Sequence, residues 1–178
     1  MYQIGEKFDP GFWELARFHR NLEHIYLPKE GEIVIPSRWI IPPATSSDGI
    51  IVNVAELRSY RFFPELGQVR TYPIGIGVFE HKTPFGRFRV NSKAENPGWR
   101  ILSSLQAKYG MSYMPAGEGN PIGTHWMGLS HYGLHGSHIP YGVGRLVSHG
   151  CSRHYNQDIK EMFDLTRWAR RCRLSMNR

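Results

Sequence analysis

Cysteine is scarce in this chain: there are two in 178 residues, Cys151 and Cys172. Two cysteines do not make a disulfide framework, so an apolar core must hold the fold. Long apolar runs are missing as well, and nothing approaches the ~20 residues of a helical membrane span. The opening Met1-Tyr2-Gln3-Ile4-Gly5-Glu6-Lys7 lacks the basic and then apolar stretches of a secretory signal peptide. It fits either a cytoplasmic protein or a chain that begins after an export segment. Paired zinc-ligand cysteines and an aromatic RNP stretch are absent, which removes two usual nucleic-acid signatures. No internal repeat appears.

What remains is ordinary globular composition, 40% hydrophobic and 21% charged. The length suits one domain, or a domain of about 130 residues with a small module. A net charge of +7 suits an anionic partner: nucleic acid, a membrane surface or a carboxylate-bearing wall polymer. The densest basic run, Arg167 to Arg173, is expected at the C-terminal end of a helix, where it complements the dipole.

Residues 4 to about 36 read as a compact unit. Asp9-Pro10-Gly11 predicts a helix start with Asp9 as N-cap, and Phe12, Leu15, Ala16 and His19 follow at helical spacing up to Asn21. Leu27 to Gly31 predicts a turn and Glu32 to Pro36 a short strand. Pro36 to Asp48 has linker composition, which places a domain boundary near residue 37. From Gly49 the period becomes two. Ile50 to Ala55, Arg58 to Phe63 and Val69 to Gly77 predict three antiparallel strands, and Arg87 to Val90 another. Residues 91 to 124 predict a long loop, with a short helix near Leu102 to Tyr109. Tyr132 to His135 reads as a strand end. A helix is expected from Gln157, its apolar side Ile159, Met162, Phe163 and Leu165, with Trp168 one turn on and Cys172 as a small buried residue on the same helix. The fold class is mainly β, with a C-terminal helix and a small helix–strand module in front.

Ser148-His149-Gly150-Cys151-Ser152-Arg153 gathers the groups that activate a thiol. A free cysteine is mostly thiol at neutral pH and needs a neighbouring base or cation before it attacks a carbonyl. His149, two residues before Cys151, would share a face with it in an extended segment. His135, sixteen positions upstream, could be brought opposite by a hairpin-like return through Pro140, Gly142 and Gly144. Either imidazole could take the thiol proton and return it to a leaving amine. Gly150 gives access and exposes N–H groups for an oxyanion. The Arg153 fork suits a carboxylate, and Asn156 can cap the helix and tie down the loop. A purely structural Cys–His pair is the alternative. A metal site is another, since His125, His131, His135, His138, His149, Cys151 and His154 crowd together. Gly133 lies between His131 and His135 on an expected strand, so the helical His-x-x-x-His geometry is missing, and neither metal nor cofactor is expected.

Tyr132-Gly133-Leu134-His135-Gly136-Ser137, then Ser148 to Arg153, Asn156 and Asp158, resembles the signature of the L,D-transpeptidase catalytic domain, the YkuD family. Gly49 to Arg58, Tyr72 to Gly77, Thr83-Pro84-Phe85-Gly86, Asn96-Pro97-Gly98-Trp99 and Asn120-Pro121-Ile122-Gly123 are similar to its other landmarks, so the likeness covers about residues 38 to 166. The helix, the Asn-containing loop and the Gly31 to Pro36 ending resemble the later part of a LysM module, truncated at its start, which would bind glycan strands. A simple N-terminal cap on the main domain is the alternative.

The resemblance implies a β-sandwich or barrel-like domain over residues 38 to 178 and a cysteine acyl-enzyme. Cys151 matches the nucleophile, His135 the base, and Gly136 the residue whose carbonyl orients it. His149 and Gly150 match the oxyanion loop, and Arg153 a substrate anchor; Ser148 and Asn156 are further candidates for substrate contact. The implied donor is a peptidoglycan tetrapeptide stem that loses D-alanine. The acceptor is an amine of diaminopimelate or of a lipoprotein lysine, which points to the periplasm or cell envelope. Water as acceptor would make a hydrolase, and a weakly catalytic wall-binding protein is the remaining alternative. Ser152 and His154 stand where an aliphatic residue and an apolar residue such as Met are usual.

Overall fold

A computed structural model describes residues 2–19, 31–43, 49–168 and 170–175. Four helices occur among them: α1 (Tyr2–Phe8), α2 (Phe12–Phe18), α3 (Ser103–Tyr109) and α4 (Asn156–Leu165). The strands are β1 (Gly49–Asn53), β2 (Arg58–Phe63), β3 (Gln68–Pro73), β4 (Ile76–Gly77), β5 (Gly86–Arg89), β6 (Ser92–Glu95) and β7 (Trp99–Arg100). They continue with β8 (Tyr113–Met114), β9 (His125–Leu129), β10 (Tyr132–His135), β11 (Leu146–Ser148), β12 (Ser152–Arg153) and β13 (Arg171–Ser175).

The expected antiparallel meander is β1–β2–β3. It forms one side of a five-stranded sheet ordered β3-β2-β1-β13-β5. A four-stranded sheet ordered β12-β10-β9-β6 makes the second layer. The core lies between them. Ile50, Val52 and Tyr72 come from the first sheet, Met127, Leu129 and Leu134 from the second, and Ile159 and Met162 from α4. Each such side chain contributes about 1.5–3 kcal/mol by leaving water.

The predicted third strand breaks in two. It runs antiparallel to β2 up to Pro73, and then Gly75 turns away to bridge Arg153 instead. The predicted long loop contains the expected short helix as α3, and it also holds β6, β7 and β8, which its composition did not suggest.

The C-terminal expectation is corrected. α4 ends at Leu165, where Thr166 is extended. The Lys93 ammonium bonds the Phe163 and Thr166 carbonyls at 2.6 and 2.7 Å, satisfying acceptors that another helical turn would have used. Leu165 and Trp168 are exposed. Cys172 lies on β13, not on a helix, and pairs in parallel register with Ile50. It is buried as expected, but as a core residue of a sheet. The basic run is therefore partly a strand, and its alternation Arg171-Cys172-Arg173-Leu174 is the period-two signal.

At the N-terminus α2 forms, but its N-cap is Gly11, whose N–H donates to Glu14 at 2.7 Å. Asp9 takes φ 68 and turns its carboxylate to Arg58 instead. The helix stops at Phe18, and α1 before it was not expected. No strand forms over residues 32–36, so only the helix of the LysM-like pattern is seen. Asn21, the turn residues 27–30 and the end of the predicted linker lie outside the described residues.

This segment is tied to the main domain by a fully buried arginine. Arg58, on β2, meets Glu14 at 2.8 Å, Asp9 at 3.2 Å and Thr71 at 2.8 Å, and its guanidinium stacks 4.0 Å from the Trp39 ring. A buried cation is tolerated only when paired this fully.

Candidate active site

His135 and Cys151 are brought together by a parallel strand pair. β10 and β12 align Leu134 with Ser152 and His135 with Arg153. A parallel pair excludes the hairpin return that the spacing suggested. The chain crosses over through residues 136–147, with β11 pairing to β4 on the way. The pairing continues past the strands, as His154 N–H donates to the His135 carbonyl at 2.8 Å. Arg153 exchanges two backbone hydrogen bonds with Gly75, at 2.7 and 2.8 Å, which clamps β12 on its other side.

Strand alternation then sorts the side chains. Leu134, Ser152 and His154 face inward and are buried. Gly133, His135, Cys151 and Arg153 take the other face. Gly133 carries no side chain, and a hydrogen bond from its backbone reaches the Cys151 thiol. The Trp126 indole covers Gly133 and lies beside the His135 ring, centroids 5.9 Å apart. Its N–H is fixed by Ser92 at 3.1 Å.

The His135 Nδ1 lies 2.6 Å from the Gly136 carbonyl. A carbonyl only accepts, so Nδ1 carries the proton and Nε2 keeps its lone pair. Burial pushes the imidazole down to about 3, with Arg153 acting in the same direction and the Gly136 carbonyl against it. Asn156 holds this region from behind. Its Oδ1 accepts N–H bonds from Thr124 at 3.2 Å and Ser137 at 3.1 Å. It fits because Gly136 and Gly123 lack Cβ atoms, which would lie 2.2 and 2.4 Å from that oxygen. Asn156 is thus a brace for the His135 strand end. It does not cap α4, whose N-cap is Tyr155.

The cysteine loop is built around Ser148. Its hydroxyl donates to the Cys151 carbonyl at 2.6 Å and accepts the Gly150 N–H at 3.2 Å. Gly150 takes φ 104, a conformation open chiefly to glycine, with the Tyr132 ring against it. The Ser148 hydroxyl, expected at the substrate, and the Gly150 N–H, expected at the oxyanion, are thus bonded to one another within the loop. The left-handed turn also breaks the extended segment that would have set His149 beside Cys151. His149 instead stacks on His81, centroids 4.4 Å apart. Sequence reasoning missed His81, and no signal near the motif points to it.

Burial pushes the Cys151 thiol up to about 11, with Gly133 and Arg153 pulling against it. The resting pair is neutral thiol and neutral imidazole. Arg153 supplies positive charge beside the thiol, and burial pushes its own guanidinium down from the usual range. Its Nε is buried without a hydrogen-bond partner. The two unusual positions lie behind the site. His154 is fully buried, bonds Ser59 at 3.0 Å and is pushed down to about 4 by burial, while the Ser152 hydroxyl is buried against the core face. Among the described residues, no group of three or more His, Cys, Asp or Glu side chains could hold a metal ion.

Comparison with known proteins agrees with this geometry. The model of the YkuD family, the L,D-transpeptidase catalytic domain, matches residues 47–170. "Probable L,D-transpeptidase YcfS" of Escherichia coli K12 is 35% identical over 173 residues, 90% of this chain and 53% of that protein. "Probable L,D-transpeptidase ErfK/SrfK" of the same strain is 37% identical over 149 residues, covering 79% and 48%. The chain thus spans about half the length of these curated relatives. Among solved structures, the NMR structure of the catalytic domain from E. faecium L,D-transpeptidase superposes with a TM-score of 0.58 at 20% identity, covering 74% of this chain and all of that one. The Ldtfm–avibactam carbamoyl enzyme gives 0.59 at 20% identity, over 75% and 50%. The chain belongs to the YkuD family of L,D-transpeptidase catalytic domains.

Proposed function

We propose that the chain is a cysteine-dependent acyltransferase that remodels peptidoglycan. The observation that carries this is the β10–β12 pair, which puts Cys151, His135 and Arg153 on one face, with the His135 Nδ1 proton held by Gly136. His135 Nε2 takes the thiol proton as Sγ attacks the donor carbonyl. Because both groups rest neutral, proton transfer accompanies attack and no thiolate is stored beforehand. The amide C–N bond breaks, the proton passes to the departing D-alanine nitrogen, and a thioester remains. An acceptor amine then attacks the thioester. His135 takes its proton and returns it to the cysteine sulfur. The N–H groups of His149 and Cys151 are the loop donors left for the oxyanion, since that of Gly150 is bonded to Ser148. The unpartnered Arg153 Nε supports a role in holding a stem carboxylate.

The donor is a tetrapeptide stem. The acceptor is a diaminopimelate amine or a lipoprotein lysine, and the site of action is the cell envelope where that polymer lies. Incubation of purified sacculi with the protein, followed by muropeptide separation, tests this. New crosslinked dimers or lipoprotein attachment support transfer. Trimmed stems or cleaved crosslinks make the protein a hydrolase on the same site. Unchanged muropeptides overturn the reading.

A further inference from the structure

Helix α2 is docked on the crossover that joins His135 to Cys151. The Phe12 N–H donates to the Val143 carbonyl at 3.3 Å. The Arg145 guanidinium lies over the Phe12 ring, 3.5 Å from its centroid, in a cation–π contact. Glycines let the two backbones meet: Gly144 takes φ 79, and a Cβ on it would lie 2.2 Å from the Phe12 nitrogen. The far side of α2 is held to the main sheet by Arg58, through Glu14.

The same crossover forms the wall against which Arg153 rests. A Cβ on Gly142 would lie 2.9 Å from Arg153 Nη1 and 3.4 Å from its Cδ, so the side chain lies flush against the Gly142 backbone. Backbone bonds tie this wall to the segment that clamps β12. The Gly144 N–H donates to the Ile74 carbonyl at 3.0 Å and the Ile76 N–H to the Arg145 carbonyl at 2.9 Å, while Gly75 between them exchanges its two bonds with Arg153. The Arg153 Nε has no hydrogen-bond partner. An arginine side chain is long and rich in rotamers, so the Gly142 wall, rather than a bond at Nε, decides where the fork sits. That fork pulls on the Cys151 thiol, so its place matters to the nucleophile.

We propose that Phe12 and Arg145 are positioning residues of the catalytic centre: by latching α2 to residues 143–145 they seat Gly142 against Arg153 and set the place of its guanidinium beside Cys151. The N-terminal helices are then working parts of the site, and whatever lifts α2 from the crossover loosens Arg153. Contiguous packed backbone and side chains carry the coupling. The positioning is independent of the carboxylate-holding role given to Arg153 above.

The test reads alkylation of Cys151 by iodoacetamide at pH 9, followed by peptide mapping. This pH lies below the thiol pKa of about 11, so the rate follows the thiolate fraction. Phe12→Leu removes the ring face and keeps apolar bulk. Arg145→Gln removes the cation. Gly142→Ala drives a methyl at the fork from a backbone whose φ lies outside the left-handed region. Each should slow alkylation by about threefold or more, in the direction expected of Arg153→Gln, because a displaced guanidinium stabilises the thiolate less. None should slow it further in an Arg153→Gln background, where no fork remains to be misplaced. Phe12→Tyr keeps the ring face and should restore the parent rate. Urea unfolding at pH 9 establishes that each variant is folded in the assay, and Arg145→Gln carries the test of the latch where Phe12→Leu is not. Parent-rate alkylation in the folded latch variants overturns the proposal. So does a slowing that multiplies in full with that of Arg153→Gln, which marks a general loosening of the fold. If alkylation behaves as expected while the KM for a tetrapeptide donor is the same in the parent and in Arg153→Gln, the carboxylate-holding role fails and the positioning stands.

Discussion

His135 and Arg153 are direct partners across the parallel β10–β12 pair. The guanidinium next to the imidazole adds to burial in holding the ring neutral, and it pulls the Cys151 thiol down against burial. Arg153→Gln should therefore raise the His135 pKa above about 3 and move the thiol pKa above about 11. Alkylation of Cys151 by iodoacetamide against pH reads the second shift. In the unaltered protein the rate should climb towards pH 11 with no inflection between 6 and 7. An inflection there would reveal a stored thiolate–imidazolium pair.

Asn156 offers a test of positioning. Asn156→Ala orphans the Thr124 and Ser137 N–H groups, at about 1–3 kcal/mol. Because these bonds brace the strand end carrying His135, acylation should slow by more than the stability loss explains. Urea unfolding and carbapenem acylation, measured side by side below the unfolding transition, separate the two effects.

Glu14→Ala should cost about 3–5 kcal/mol, because it leaves the fully buried Arg58 short of its nearest carboxylate. Thermal or urea unfolding measures it. A loss under 1 kcal/mol would mean that the N-terminal helices are not integral to the catalytic domain.

Stability should vary with pH in two opposing ways. His154, pushed down to about 4, binds fewer protons folded than unfolded between about pH 4 and 6.5, so it costs stability as pH falls through that window. Asp158 is pushed up to about 8, by burial first and then by Asp9. It binds more protons folded than unfolded between about pH 4 and 8. Its contribution is present at the acid end and lost as pH rises through 8. Asp158→Asn should remove that alkaline loss, so the variant gains on the parent protein between pH 5 and pH 9 in urea titrations.

Much of this was legible in the chain. Period-two runs marked β1 and β2, and motif order marked the two segments that pair as β10 and β12 and the Gly136 carbonyl that meets His135. What stayed hidden depended on partners far away in sequence. β12 and β4 are two residues long and exist only because other strands complete them, so they carry no period. β13 was masked by an arginine-rich stretch that also suits a helix end. Helix α4 stops where Lys93, a residue of another sheet, takes its carbonyls. The bonds between Ser148, Gly150 and Cys151 were hidden because a motif gives spacing but not which groups bond one another. His81 was invisible because it meets His149 only in three dimensions.

The central claim is that Cys151 is acylated with His135 as its base. Intact-mass spectrometry after incubation with a carbapenem, followed by peptide mapping, tests it most directly. The account predicts one adduct, on Cys151. It should be absent in Cys151→Ala, slowed about 10²–10⁴-fold in His135→Ala, and slowed less in His149→Ala. An adduct on Cys172, or a His135→Ala variant acylated as fast as the parent, would contradict it.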